Sequence, residues 1–481
     1  MESKSLDILV LGATGFTGKC TVKYLASLTR EKYWDVTWGI TGRSKDKLQD
    51  LIKELNLPTS AILESDIENR ESLRKALKIA KVVINCTGPN SVLSPPIVET
   101  CIECGTHYVD ISAEMFHILN LYRNFNKAAE DASVLVIPSC GYAAIPTEAG
   151  MIYLDRQFKG RHWNSVINQC NLAVFGLIRI VMVSTLAIRY YRTDLMMEPE
   201  GRHRNSVINQ CILAVFGLIR IVVRWTLHTV ECYTYLNIPK RAYIPGRALI
   251  HNGTWTSLVH VLEHFKDHLA LWRELFPTPI EPEPEEMKKS FFHRHNRQTW
   301  FPYPGTENES VYMSQRYMYE KAQKKPAHFK AYTTVPLCIH FIVVPIMFLY
   351  YYLSYFKFFR KLLINFPKLM TVGYASQKGP SQKMRQDTKY NFVLNGKGWD
   401  SGADLNTKPT KTMSVKVSGS DPGYDTTAVA IIMCAITILK ENSNMAKGGV
   451  VMPGAAFYRT DIVDRLMHEG FTFETVGNKV V

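Results

Sequence analysis

The stretch Leu6-Asp-Ile-Leu-Val-Leu-Gly12-Ala-Thr-Gly15-Phe-Thr-Gly18 constrains the fold of this chain more than any other part of it. Leu6 to Leu11 is a short apolar run of β-forming residues, the pattern of a strand buried on both faces. Three glycines follow at intervals of three, and after them a helical pattern from Thr21 to Leu28. Gly12 permits a tight turn out of the strand, Gly15 a close backbone approach to a pyrophosphate, and Gly18 close packing of helix on sheet. Thr14, Phe16 and Thr17 fill the turn between them and complete the candidate cradle. Exposed amides at the helix start, aided by the helix dipole, are suited to phosphate. The spacing predicts a dinucleotide site.

The end of the second strand selects the dinucleotide. Val36-Thr-Trp-Gly-Ile-Thr41 runs into Gly42-Arg43-Ser44, where an NAD-preferring site carries an acid for the ribose hydroxyls. Arg43 stands there instead, and its guanidinium fork is matched to a 2′-phosphate. Lys45 and Lys47 add positive charge beside Ser44. NADP is the expected cofactor, with NAD as the alternative.

Strand-helix alternation then continues. Lys45–Leu55 has apolar residues at helical spacing, and Ala61 to Asp66 reads as a strand ending in an acid. Asp66 is placed either to contact an adenine or to cap the helix that follows Asn69. Val82 to Asn85 is another buried strand, opening at Gly88-Pro89 onto the crevice where a nicotinamide would lie. Helices are expected over Pro95–Cys104 and Phe116–Ala132, and strands over Tyr108–Ser112 and Val134–Pro138. The class is α/β: an N-terminal doubly wound parallel Rossmann sheet, with ligand at the carboxyl ends of its strands, plus a second α/β domain.

At 481 residues the chain has room for two or three domains. The net charge of +14 is not accompanied by a groove-reading or base-stacking motif, so no nucleic-acid partner is expected. Long apolar runs beside basic residues fit an anionic membrane surface better. The polar first residues and scattered cysteines point to a reducing compartment. Cys101 and Cys104 form one C-x-x-C without a second pair, so no metal is expected.

Gly12-Ala-Thr-Gly-Phe-Thr-Gly18, Gly42-Arg-Ser44, Asn85-Cys-Thr-Gly-Pro89, Tyr108-Val-Asp-Ile-Ser-Ala-Glu114 and Pro453-Gly-Ala-Ala-Phe457 together resemble the saccharopine dehydrogenase-like oxidoreductases of animals. The resemblance implies a Rossmann domain, a C-terminal α/β domain closing over the nicotinamide, and association with membranes or lipid droplets. Bacterial enoyl reductases of glycolipid synthesis are among the relatives it brings in. The family segment Gly-Phe-Asp-Ser-Ile-Pro-x-Asp reads Gly141-Tyr-Ala-Ala-Ile-Pro-Thr-Glu148 here. Ala143 and Ala144 can neither accept nor relay a proton. Tyr142 and Glu148 are the nearest catalytic candidates. His251, in a segment resembling the family's substrate side, is a weaker candidate, with loop hydrogen bonding as its simpler role.

A near-perfect repeat interrupts the second domain. Gly160 to Val181 recurs at Gly201 to Val222, with only Trp163/Arg204 and Asn171/Ile212 different. Arg161 to Trp225 therefore reads as an insertion, basic enough to touch a membrane but better explained as a recent duplication without a folded role. Further on, Pro277 to Glu286 reads as a solvated acidic spacer. From Ala331 to Phe356 there is no Lys, Arg, Asp or Glu. As one straight helix this run would be about 39 Å long. Basic residues flank both ends, and Pro336 and Pro345 interrupt helical hydrogen bonding. The expectation is a hairpin or interfacial helix dipping into one leaflet, on a lipid droplet or the cytoplasmic face of a membrane.

The expected organisation is a Rossmann domain over 1–150, a second domain beginning at 151–330 with the insert 161–225, a hydrophobic segment 331–366, and the rest of the second domain over 367–481. The expected function is an NAD(P)-dependent oxidoreductase of lipid or glycolipid metabolism acting on a lipid-like substrate. The alternative is a dinucleotide-binding scaffold without turnover. The sequence permits a homo-oligomer.

Overall fold

The computed structural model describes residues 4–57, 61–158, 227–334, 337–399, 404 and 407–480. Residues 161–225, the repeat insert, lie outside the described residues.

In the N-terminal half the elements alternate strictly: β1 (Leu6–Leu11), α1 (Phe16–Glu31), β2 (Trp38–Gly42), α2 (Lys45–Leu55), β3 (Ala61–Glu64), α3 (Arg70–Leu77), β4 (Ala80–Asn85), α4 (Asn90–Glu103), β5 (His107–Asp110), α5 (Met115–Asp131), β6 (Leu135–Ile137) and α6 (Ile145–Phe158). The sheet order is β3-β2-β1-β4-β5-β6, completed beyond β6 by Gly449–Val450, and every pairing is parallel. Ile8 and Val10 of β1 enter one apolar cluster while Leu9 and Leu11 enter another, which is the period-two burial of a strand covered on both faces. The helix expected from Pro95 starts five residues earlier, at Asn90, and carries Pro95 and Pro96 inside it. Pro89 holds the N-cap position, and the Glu114 carboxylate accepts hydrogen bonds from the Asn90 and Ser91 amides at 3.1 Å. That negative charge at a helix start satisfies two orphan donors.

The second sheet has seven strands in the order Thr472–Val480, Lys411–Ser420, Lys389–Gly398, Leu227–Asn237, His328–Thr333, Gln298–Pro302, His293–His295. Only the pairing of Leu227–Asn237 with His328–Thr333 is parallel. The helix Asp425–Glu441 has the length and apolarity to cross a membrane, yet most of it is buried inside the protein. It is the central core helix. Its Ile431 and Ile436, Ile8 and Val10 of β1, and Leu394 and Val417 of the second sheet belong to one continuous apolar cluster. α6 comes so close to the second sheet that a Cβ on Gly150 would lie 3.0 Å from Leu394 and 3.1 Å from Val417.

Two expectations are corrected by tertiary pairing. The acidic segment Pro277 to Glu286 is not a free spacer. Glu286 accepts from Thr229 and pairs with Lys397 at 3.0 Å, Glu283 pairs with Lys330, and Glu281 lies 3.7 Å from His328, so the segment is tied to the second sheet. The uncharged run divides differently from the expectation. Its first residues, Ala331 and Tyr332, are buried in the strand His328–Thr333, so the segment boundary at 331 falls inside the sheet. One helix, Leu337–Ser354, then continues through Pro345, and a second, Lys357–Asn365, follows.

Candidate functional site

The glycine turn has the local geometry its spacing implies. Gly12 has φ +81°, in the left-handed region, and a Cβ there would lie 2.9 Å from Thr87. At Gly18 a Cβ would lie 2.1 Å from the Gly12 carbonyl oxygen, so only glycine lets α1 start against the turn. Gly15 is exposed and holds the N-cap position of α1. The helix start has no capping side chain and no acid in its first turn, leaving its amides and dipole open to an anion. Thr14 and Thr17 are partly exposed beside it. The Thr17 carbonyl accepts from the Thr21 hydroxyl at 3.0 Å. These features fit a dinucleotide pyrophosphate.

Phe16 does a job that the turn's spacing does not reveal. Its ring stacks on His251 with centroids 4.9 Å apart and meets Tyr424 edge-on at 4.6 Å. The Arg385 guanidinium lies 5.7 Å from the Phe16 centroid. Arg385 is itself held by Asp421 at 2.7 Å and Asp425 at 2.8 Å. Burial and the neighbouring Asp425 push the Asp421 carboxyl up to about 7. The second sheet's helices and loops thus clasp the glycine turn through one aromatic ring. None of Tyr424, Arg385, Asp421 or Asp425 was identifiable in the sequence, because no local motif marks them.

At the end of β2, Arg43 is exposed, and among the described residues it has no ion pair. Ser44 caps α2, its hydroxyl accepting from the Lys47 amide at 3.4 Å. A free guanidinium at this strand end suits a 2′-phosphate. Asp66 follows β3 and turns its carboxylate onto the Glu68 amide at 3.1 Å. It is not the helix cap: Asn69 caps α3 by accepting from the Ser72 amide. Gly88, with open space where a Cβ would be, and Pro89 follow β4 beside the turn, near Thr87. Behind them a buried network fixes the carboxyl ends of β4 and β5. Asn85 donates to Tyr108 and Ser94, and Asp110 accepts from Tyr108, Ser112 and the Ser139 amide.

The two catalytic candidates are held by contacts of their own. Glu148 is sealed inside the protein, accepting from the hydroxyls of Ser310 at 2.7 Å and Ser314 at 2.8 Å. Burial pushes its carboxyl up to about 7, against the opposing pull of those hydroxyls. It ties α6 to the helix Glu307–Ala322 and to Gly454. The Tyr142 ring packs edge-on against Tyr390 and Phe392, its amide donates to Thr427 at 3.2 Å, and its hydroxyl pairs with that of Tyr303. Burial and the adjacent Glu307 hold the Tyr142 hydroxyl well above the usual phenol range. The cofactor-binding candidates of β1, α1 and β2 thus follow the ends of two neighbouring parallel strands, and Glu148 is enclosed between α6 and the helix Glu307–Ala322. His251 is a helix cap, its Nδ1 accepting from the Gly253 amide at 3.0 Å.

Residues 8–137 match the family model of the saccharopine dehydrogenase NADP binding domain. Over 501 aligned residues the chain is 28% identical to the saccharopine dehydrogenase-like oxidoreductase of Mus musculus, covering 100% of this chain and 99% of that one. Along its full length this chain is similar to the saccharopine dehydrogenase-like oxidoreductases. The match over residues 8–137 supports a nicotinamide dinucleotide as its cofactor class. A probable mitochondrial saccharopine dehydrogenase-like oxidoreductase of Arabidopsis thaliana is 26% identical, with 98% of this chain and 96% of that one covered. A protein of Caenorhabditis elegans named lipid droplet localized protein is 23% identical, with 97% of each covered.

Proposed function

We propose that this protein is an oxidoreductase that prefers NADP and works at a lipid surface on an apolar, lipid-like substrate. The observation that carries the reading is the uncapped, acid-free start of α1 behind an exposed Gly15, with Arg43, which has no ion pair among the described residues, at the end of the neighbouring strand. Gly12, Gly15 and Gly18 would hold the pyrophosphate and Arg43 the 2′-phosphate. A bound nicotinamide supplies or accepts hydride. The chain's own part is to orient it beside Gly88 and Pro89 and to exclude water through the Phe16–His251–Tyr424 contact. The lipid-surface part is supported by exposed aromatic residues on the helices Leu337–Ser354 and Lys357–Asn365, among them Phe348, Tyr352, Phe356 and Phe358, and by the name of the nematode relative. NADPH fluorescence titration tests the reading. Saturable binding that favours NADPH over NADH is expected, and absence of NADPH binding ends it.

A second reading, a dinucleotide-binding scaffold without turnover, is favoured by one observation. Ala143 and Ala144 carry no proton donor, and Glu148 is enclosed by Ser310 and Ser314. NADPH bound tightly but never oxidised across a panel of lipid enones and ketones would select it.

A further inference from the structure

We infer that the cleft between the loop Gly246–Ala248, the segment Asn365–Gly373 and the segment Ser376–Ser381 is a binding site for the phosphate headgroup of an anionic lipid. The inference rests on the lipid-surface part of the function proposed above and names the ligand that part lacks.

The cleft has a volume of about 990 Å³. Three cations line it, Arg247, Lys368 and Lys378, and none of its lining residues is acidic. Among the described residues none of the three has an ion pair, whereas Arg241, Lys289, Lys330, Arg360 and Arg385 elsewhere in the second half do. Three uncompensated cations around one concavity favour a multiply charged oxyanion.

The walls identify the carrier of that anion. Phe366 and Leu369 line the cleft and are 55% and 73% exposed, and Val372, 64% exposed, adjoins it. The Val372 carbonyl accepts from the Gly246 amide at 2.9 Å, which joins the apolar and basic sides of the opening. A free phosphate has no use for an apolar rim of this kind, whereas an acyl chain beneath a phosphate does. The same rim continues through the helix Lys357–Asn365 into the exposed aromatics of Leu337–Ser354.

The inner wall connects the cleft to the dinucleotide turn. A Cβ on Gly379 would lie 2.8 Å from the Phe16 ring, and Ser376 pairs in register with His251, on which Phe16 stacks. A lipid held by its phosphate at Arg247, Lys368 and Lys378 would therefore sit one layer of side chains from the glycine turn, with the Phe16 contact between them.

The full-length protein is titrated with dioctanoyl phosphatidic acid below its micellar concentration, with inorganic phosphate, and with phosphatidylcholine vesicles with and without phosphatidic acid. Binding to soluble phosphatidic acid, weak or absent binding to inorganic phosphate, and tighter binding to the acidic vesicles are expected. Arg247→Ala, Lys368→Ala and Lys378→Ala should each lower affinity for the acidic vesicles about fivefold. NADPH binding in the same variants should be unchanged, which reports that they are folded, and Lys75→Ala on α3 should be without effect. Inorganic phosphate binding as tightly as phosphatidic acid overturns the lipid assignment, as does a folded triple variant that keeps full preference for acidic vesicles. Wild-type protein that binds neutral and acidic vesicles equally overturns this inference and leaves the lipid-surface reading standing, whereas binding to neither kind of vesicle overturns both.

Discussion

Gly18 and Arg43 show two ways in which one residue sets what the turn can hold. At Gly18 a single added carbon would overlap the Gly12 carbonyl at 2.1 Å, so the close start of α1 is a steric fact about that position. Arg43 contributes through charge, and Arg43→Ala should weaken NADPH binding about tenfold while leaving NADH binding nearly unchanged, because one charge-assisted contact is lost. Paired fluorescence titrations check this, and equal losses for both coenzymes would refute the assignment. Glu148 makes a different prediction. Its carboxyl is harder to ionise in the folded protein than in the unfolded chain, so the fold keeps the proton after the unfolded chain has released it. The resulting stabilisation is complete below pH 4.5 and is lost as pH rises through about 7. The total swing is about 3 kcal/mol. Urea melts at pH 5 and pH 8 should show it: wild type and Glu148→Gln both lose stability across the interval, since Asp421 titrates there in each, and the variant loses about 3 kcal/mol less.

At the scale of the element, helices rich in apolar residues meet opposite fates. Asp425–Glu441 is buried along almost its whole length, from Thr426 to Ile438, and reads from composition alone like a membrane span. The helices Leu337–Ser354 and Lys357–Asn365 leave Phe348, Phe356 and Phe358 in solvent. Only packing decides whether an apolar run is covered. Side chains as exposed as Phe348 and Phe358 can be removed cheaply. Phe348→Ser with Phe358→Ser should shift unfolding stability by no more than about 0.5 kcal/mol. The same pair should lower partition onto phospholipid vesicles by about tenfold or more. Flotation and thermal melts measure the two quantities together, and a destabilised protein with unchanged flotation would place these rings in the core instead. Pro345 adds a lesson of its own: the sequence reads it as an interruption, yet the helix continues through it.

Across the whole molecule the two sheets share one apolar cluster, in which β1, the helix Asp425–Glu441 and the strands Lys389–Gly398 and Lys411–Ser420 are joined. A core built from both halves couples their unfolding, so scanning calorimetry should give one cooperative transition, coincident with loss of NADPH binding. Two resolved transitions would instead show halves that fold separately. The sequence by itself determined the parallel sheet, the glycine turn and the placement of Arg43, since each depends on residues within a few positions of one another: apolar period, glycine conformations, the residue that ends a strand. It was equally sufficient for the boundaries of Lys45–Leu55. Only the tertiary structure decided that Glu148 is enclosed by Ser310 and Ser314, that Phe16 is clasped by His251 and Tyr424, and that the acidic segment before Met287 is tied to the second sheet. Each of those outcomes joins residues far apart in the chain. Burial and partnership are properties of the assembled fold, which neighbouring residues do not encode.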